Sequence, residues 1–220
     1  MIEKNIYSCE NACPCKEDHT KKPRLVVITG GPGAGKTAIL EIARKMFCDR
    51  VAILPESASI LFKGGFWRLN SESGQKSIQR AIYHVQKELQ TIFFEENRWT
   101  LGLCDRGTLD GLAYWPGQPE DYLQTLGTTL EQELKQYYGV IHLRVPSLSN
   151  GYNHQNPVRT ETAEVAAAID NRIHEVWKSH PNYYQISSAA SFADKINESI
   201  EMMSTFLPEC CQNHLQKGKL

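Results

Sequence analysis

Gly30-Gly31-Pro32-Gly33-Ala34-Gly35-Lys36-Thr37 is the stretch on which the fold turns. It fits the pattern G-x-x-x-x-G-K-[ST]. It follows the apolar run Leu25-Val26-Val27-Ile28 and opens a helical pattern near Gly35, which is the context a phosphate-binding loop needs. Glycines let successive backbone N–H groups wrap a phosphate, and the helix that follows points the positive end of its dipole at the same place. Gly30, Gly31, Pro32, Gly33, Ala34, Gly35, Lys36, Thr37 and Ala38 are therefore the candidates for nucleotide binding. Lys36 would reach the β- and γ-phosphates, and the Thr37 hydroxyl would hold a magnesium ion.

Outward from this loop, four more short apolar runs follow: Val51–Leu54, Leu101–Cys104, Val140–Leu143 and Tyr183–Ile186. Runs so short and so apolar suit strands buried on both faces. Between them lie helical patterns. One runs from about Gln75 to Glu96, with Ile78, Ile82, Val85, Leu89 and Phe93 along a face, and another from about Thr162 to Lys178, with Val165, Ile169, Ile173 and Val176 apolar and Thr160 placed to cap its start. Alternating strands and helices define an α/β fold with a mainly parallel sheet covered on both faces. Residues 1–22 read as a polar, cysteine-bearing tail, 23–206 as the domain and 207–220 as a second tail, and the polar stretch Ser147–Pro157 reads as a long loop of the kind that forms lids.

Composition narrows the function by exclusion. The chain of 220 residues carries 24 Lys and Arg against 25 Asp and Glu, so its net charge of -1 gives no support to a nucleic-acid or anionic-membrane partner. No apolar run has the length of a membrane span, no secretory leader is legible, and a cytosolic location is expected. Seven cysteines, an odd number, argue against a complete disulfide framework. Cys9, Cys13, Cys15 and His19, with Cys210, Cys211 and His214, would gather a zinc ion only if the two ends met; solvated, reduced thiols are the expected state.

Chemistry beyond the loop concentrates at strand ends. Asp105 closes the third strand, so its carboxylate should emerge at the carboxyl edge of the sheet and serve as a second magnesium ligand. Arg106 follows it, where motor-type ATPases often have a Glu to activate water. This favours a site that holds a phosphate donor and an acceptor together. Glu56, after the second strand, reaches the same edge and reads either as a base for an acceptor hydroxyl or as a helix-start carboxylate facing a dipole. Arg159, at the end of the polar loop, is the candidate to neutralise charge during transfer. Arg172 reads as a solvated helix residue, and His84 as structural. Phe66-Trp67 and Tyr114-Trp115 are aromatic pairs able to stack a planar ring, although aromatics more often fill cores.

With these residues assembled, the chain resembles the P-loop domain family that includes the ribosylnicotinamide-kinase domain of NadR and related AAA-labelled ATP-binding proteins. The likeness rests on GGPGAGKT at 30–37, PESA at 55–58, Gln79-Arg80 to Gln86, CDRGTLDGLAYWP at 104–116 and NPVRTET at 156–162. The resemblance implies the nucleoside- and nucleotide-kinase architecture: a five-strand parallel core of order 2-3-1-4-5 with a lid after the fourth strand. It also implies that Glu56, Asp105 and Arg106 face the acceptor and that Arg159 belongs to the lid. An ATP- and magnesium-dependent phosphotransferase acting on a small-molecule hydroxyl is the resulting expectation. The alternatives are a nucleotide-dependent binding module, which some relatives resemble in recognising phospholipid, and a simple ATPase. GTP is disfavoured because no N-K-x-D-type guanine anchor follows the strands.

Overall fold

The computed structural model describes residues 22–145, 163–187, 191–208 and 211–212. Five strands, β1 (Arg24–Thr29), β2 (Val51–Leu54), β3 (Leu101–Asp105), β4 (Gly139–Leu143) and β5 (Tyr183–Ile186), form one parallel sheet in the order β2-β3-β1-β4-β5. The sheet is the one expected, to within a residue or two at the strand ends. Between and after the strands lie α1 (Lys36–Met46), α2 (Ser57–Lys63), α3 (Glu72–Glu95), α4 (Pro119–Leu126), α5 (Leu130–Leu134), α6 (Ala163–Trp177) and α7 (Phe192–Thr205), and a 3₁₀ segment at Thr108–Tyr114.

Strand alternation divides the core in two. Val26, Ile28, Ile53, Leu101, Leu103, Ile141 and Leu143 pack on one face with Ile39, Leu40 and Ala43 of α1 and Ile200 and Met203 of α7. Leu25, Val27, Ala52, Leu54, Cys104 and Val140 pack on the other with Phe93 of α3, Leu109 of the 3₁₀ segment, and Ile169, Ile173 and Trp177 of α6. Because both faces are covered, β1 to β4 read as largely apolar runs, whereas β5, expected to be buried in the same way, lies at the edge of the sheet with Tyr184 and Gln185 exposed. The layers are helix, sheet, helix, and the ends of β1, β2, β3 and β4 open toward the same edge.

Three expectations need correcting. In α3 the buried positions are Ile78, Gln79, Tyr83, Gln86, Gln90 and Phe93: the ends of the expected stripe, Ile78 and Phe93, face inward, while Ile82, Val85 and Leu89 between them are only half-buried. Two of the glutamines find partners inside: the Gln86 amide oxygen accepts from the Ser57 hydroxyl at 2.8 Å, and Gln90 donates to the Tyr137 hydroxyl at 2.7 Å. In α6 Val165 is exposed, and the inward positions are Ala163, Ala166, Ile169, Asp170, Ile173 and Trp177. Cys211 is not a solvated thiol: it is buried against the α1 side of the core with its sulfur 3.8 Å from that of Cys48. Cys9, Cys13, Cys15, His19, Cys210, His214, Thr160, Arg159 and the Ser147–Pro157 loop lie outside the described residues. No helix among the described residues is long and apolar enough to cross a membrane.

Candidate active site

The loop after β1 makes its turns with Gly30, Gly33 and Gly35 at positive φ, and Gly35, at φ 91°, caps α1 without any side chain to accept the first N–H groups. No acidic residue stands in that first turn, and Thr37 and Ala38 are exposed on it. A helix start without a side-chain cap or an acidic residue is a place for an anion. Lys36 is buried, its Nζ donating to the Gly30 carbonyl at 2.8 Å and the Gly31 carbonyl at 3.2 Å. Burial, and then the nearby Arg106 charge, push its ammonium down to about 8. A phosphate would replace the lost solvation of this cation and hold it charged.

Asp105 ends β3 opposite Ile28 of β1. Its Oδ1 is buried with no partner among the described residues. Burial pushes the carboxyl up to about 6, Lys36 opposing and Glu56 adding to the rise. A buried carboxylate oxygen that no protein donor satisfies suits a hard cation, so Asp105, with the Thr37 hydroxyl, fits magnesium.

Arg106 joins the parts. Its Nε donates to Glu56 Oε1 at 2.8 Å, and its Nη1 donates to the Gly30 carbonyl and to Asp110 Oδ1, both at 3.2 Å. The residue has φ 74°, a left-handed conformation that costs a non-glycine residue about 1 kcal/mol or more, and its own N–H is held by the Ile28 carbonyl at 3.1 Å. That strain aims the guanidinium back across the end of β1.

Glu56 occupies the cap position of α2, but it makes no side-chain bond to the helix backbone. Its second oxygen accepts from the Ser59 hydroxyl. Burial alone would raise its carboxyl; the Arg106 charge and these bonds outweigh it and leave the group below its ordinary value, ionised at neutral pH.

Asp110 had no assigned role in the sequence, yet it is 3% exposed and fully engaged: it accepts from the Thr29 hydroxyl, from Gly107 N–H at 2.9 Å and from Trp177 Nε1 at 3.1 Å as well as from Arg106. Only the 3₁₀ turn brings it back over the strand ends, and nothing in its spacing announces that turn.

Beside the phosphate loop opens a cleft of about 330 Å³, walled by Pro32, Glu56, Asp105, Arg106, Asp110 and Tyr114 on one side and by α2 and α3 on the other. From α3 it receives Gln79, Tyr83 and Gln86, and Arg68 stands at its edge over the Phe62 ring. The Gln86 amide nitrogen is buried without a partner among the described residues. Of the aromatic candidates, Tyr114 lines this cleft, whereas Trp115 packs on Tyr122 and Trp67 is 76% exposed away from it. Arg172 is exposed on the rim of a neighbouring hollow, and His84 lies on the outer face of α3.

A parallel 2-3-1-4-5 sheet with a glycine loop entering a helix defines the P-loop fold class. The profile of the AAA domain family matches residues 25–195, and the chain belongs to that family. Among solved structures it is similar to deoxyadenosine kinase from M. mycoides with bound dATP, at TM-score 0.55 and 16% identity, over 82% of this chain and 98% of that one. It is likewise similar to thymidylate kinase from Candida albicans, at TM-score 0.55 and 13% identity, over 84% of this chain and 92% of that one. At these identities the likeness establishes the fold. No curated protein matches the chain by sequence.

Proposed function

We propose that the protein transfers the γ-phosphoryl group of ATP to a hydroxyl of a small, nucleoside-like molecule. The observation that carries this reading is the Glu56–Arg106 pair at 2.8 Å, set in the wall of a cleft that opens beside the phosphate loop. A hydrolase needs room for water; this cleft has room for a second substrate, and its carboxylate is charged and within the reach of Arg106.

In the proposed reaction the loop from Gly30 to Ala38 cradles the phosphates and Lys36 gives up its contacts to the Gly30 and Gly31 carbonyls for phosphate oxygens. Magnesium, held by Thr37 and Asp105, would neutralise charge on the β- and γ-phosphates. The acceptor oxygen forms a bond to the γ-phosphorus as the bond to the β-bridging oxygen breaks. Glu56 takes the hydroxyl proton, and ADP leaves. Arg106 holds Glu56 in place and adds positive charge beside the transferring group, and Arg159 would supply a further cation. The unpartnered Gln86 amide supports an acceptor that carries a carbonyl or ring acceptor atom along with its hydroxyl, since its buried N–H is left for a ligand. The resemblance to ribosylnicotinamide kinases points to the same class of molecule.

The test is to incubate the protein with ATP, magnesium and a panel of nucleosides and nucleoside analogues and to follow phosphorylated products by mass. A product that appears only with an acceptor supports the transferase. Phosphate release that ignores every acceptor would point to an ATPase, and nucleotide-gated binding of a protein or a lipid vesicle without turnover would point to a binding module.

A further inference from the structure

We propose that Asp170, on α6, is a positioning residue that pins the first limb of the phosphate loop through the Gly31 N–H and so sets the loop ready for nucleotide; the affinity part of this rests on the nucleotide reading above. Asp170 is 2% exposed, inside a helix otherwise packed on the sheet by apolar groups. Its Oδ1 accepts from Gly31 N–H at 2.8 Å and pairs with His142 Nε2 at 2.8 Å. Its Oδ2 faces Arg144 Nε at 3.2 Å and Val145 N–H at 3.4 Å. One carboxylate therefore ties together the phosphate loop, the end of β4 and α6, three pieces of chain distant in sequence.

A buried carboxylate is costly unless its charge is met, and here it is met from several directions. Burial pushes the carboxyl up, but the His142 bond and charge, the Gly31 N–H and the Arg144 guanidinium outweigh it, so that it lies below its ordinary value and is ionised. The His142 ring is itself fixed: its Nδ1 lies 2.6 Å from the Tyr183 hydroxyl, which also lies 2.9 Å from His174 Nδ1. The approach of α6 depends on glycine. A Cβ at Gly31 would stand 2.8 Å from Asp170 Cβ and 2.9 Å from the Ala166 carbonyl.

Gly31 precedes the N–H groups that would meet phosphate, so fixing it removes backbone freedom that ligand binding would otherwise have to remove. Lys36 donates to the carbonyl of the same residue. The anchor and the lysine thus hold the two peptide groups on either side of the Gly31 Cα.

Asp170→Asn keeps the shape and removes the charge, and one of its amide hydrogens must then oppose the N–H groups on the Oδ2 side. In the ligand-free full chain, amide exchange at Gly31 should quicken by about tenfold, and MgADP affinity measured by calorimetry should weaken by about tenfold. Ile169→Val, one position away in the same helix, should lower the Tm and leave both quantities within twofold of wild type. If Asp170→Asn behaves like Ile169→Val, the proposal is overturned. His142→Gln, which keeps a hydrogen-bond donor but removes the imidazole, should move both readings the same way by a smaller factor and decides the matter if the Asp170 variant does not fold. Should the wild-type chain bind no MgADP, the nucleotide reading falls, and the exchange rate at Gly31 alone then confirms or overturns the anchor.

Discussion

Glu56 shows how much one residue's surroundings decide. It stands at the cap of α2, the place of a helix-start carboxylate, but its oxygens are turned to Arg106 and Ser59. Glu56→Gln should therefore keep MgATP affinity within about threefold and slow phosphoryl transfer by 10²-fold or more, read from single-turnover kinetics. Arg106→Ala leaves Glu56 and Asp110 without a shared cation and should cost about 3 kcal/mol of stability, measured by denaturant unfolding. Glu56 and Asp105 were legible as strand-end carboxylates because parallel topology sends every such residue to one edge. The bridging role of Arg106 was not, since it depends on a left-handed backbone at that residue and on β2, β3 and the loop lying side by side. Asp110 and Gln86 were missed for a related reason: their partners, Thr29 and Ser57, are 81 and 29 residues away.

Among the elements, the strands were the easiest to read and the helix faces the hardest. A strand buried on both sides needs only apolar character, whereas the facing of a helix depends on what its neighbours offer. Around α3, Ser57 of α2 and Tyr137 before β4 offer hydrogen-bond partners, so Gln86 and Gln90 turn inward where periodicity alone would have placed Ile82 and Leu89. Helix starts follow simpler chemistry. Ser191 caps α7 by accepting from Asp194 N–H at 3.1 Å, and its hydroxyl donates back to the Asp194 carboxylate at 2.7 Å. Ser191→Ala should cost about 1 kcal/mol, seen as a fall in Tm of about 2–4 °C. The start of α1 has no such cap, and adding an acidic side chain there, as in Ala38→Asp, should weaken MgADP binding by setting a negative charge where the loop awaits one.

At the scale of the molecule, buried charge links stability to pH. Lys195 of α7 is 3% exposed, donates to the Arg144 carbonyl at 2.6 Å, and burial pushes its ammonium down to about 8. Between that value and the unfolded value near 10.4, the unfolded chain holds more protons than the folded one, so this group's contribution to stability rises with pH across the window. Compared with Lys195→Met, wild type should gain in unfolding free energy from pH 8 to pH 10, a gain that urea titrations at fixed ionic strength would register. The sheet order follows from the family resemblance, but the convergence of β2, β3 and the phosphate loop on one guanidinium is a property of the assembled chain.

Arg106 has hydrogen bonds on both sides of the edge: Glu56 in the wall of the cleft and the Gly30 carbonyl of the phosphate loop. A ligand on either side that alters this sharing must alter what is offered to the other. Affinities linked in this way are reciprocal: whatever factor an acceptor applies to nucleotide binding, nucleotide applies to the acceptor. A coupling of about fivefold or more, equal in both orders of addition and reduced in Arg106→Lys, is the signature to seek by calorimetry. Where that factor is favourable, each molecule would bind the protein already holding the other more tightly than it binds the free chain.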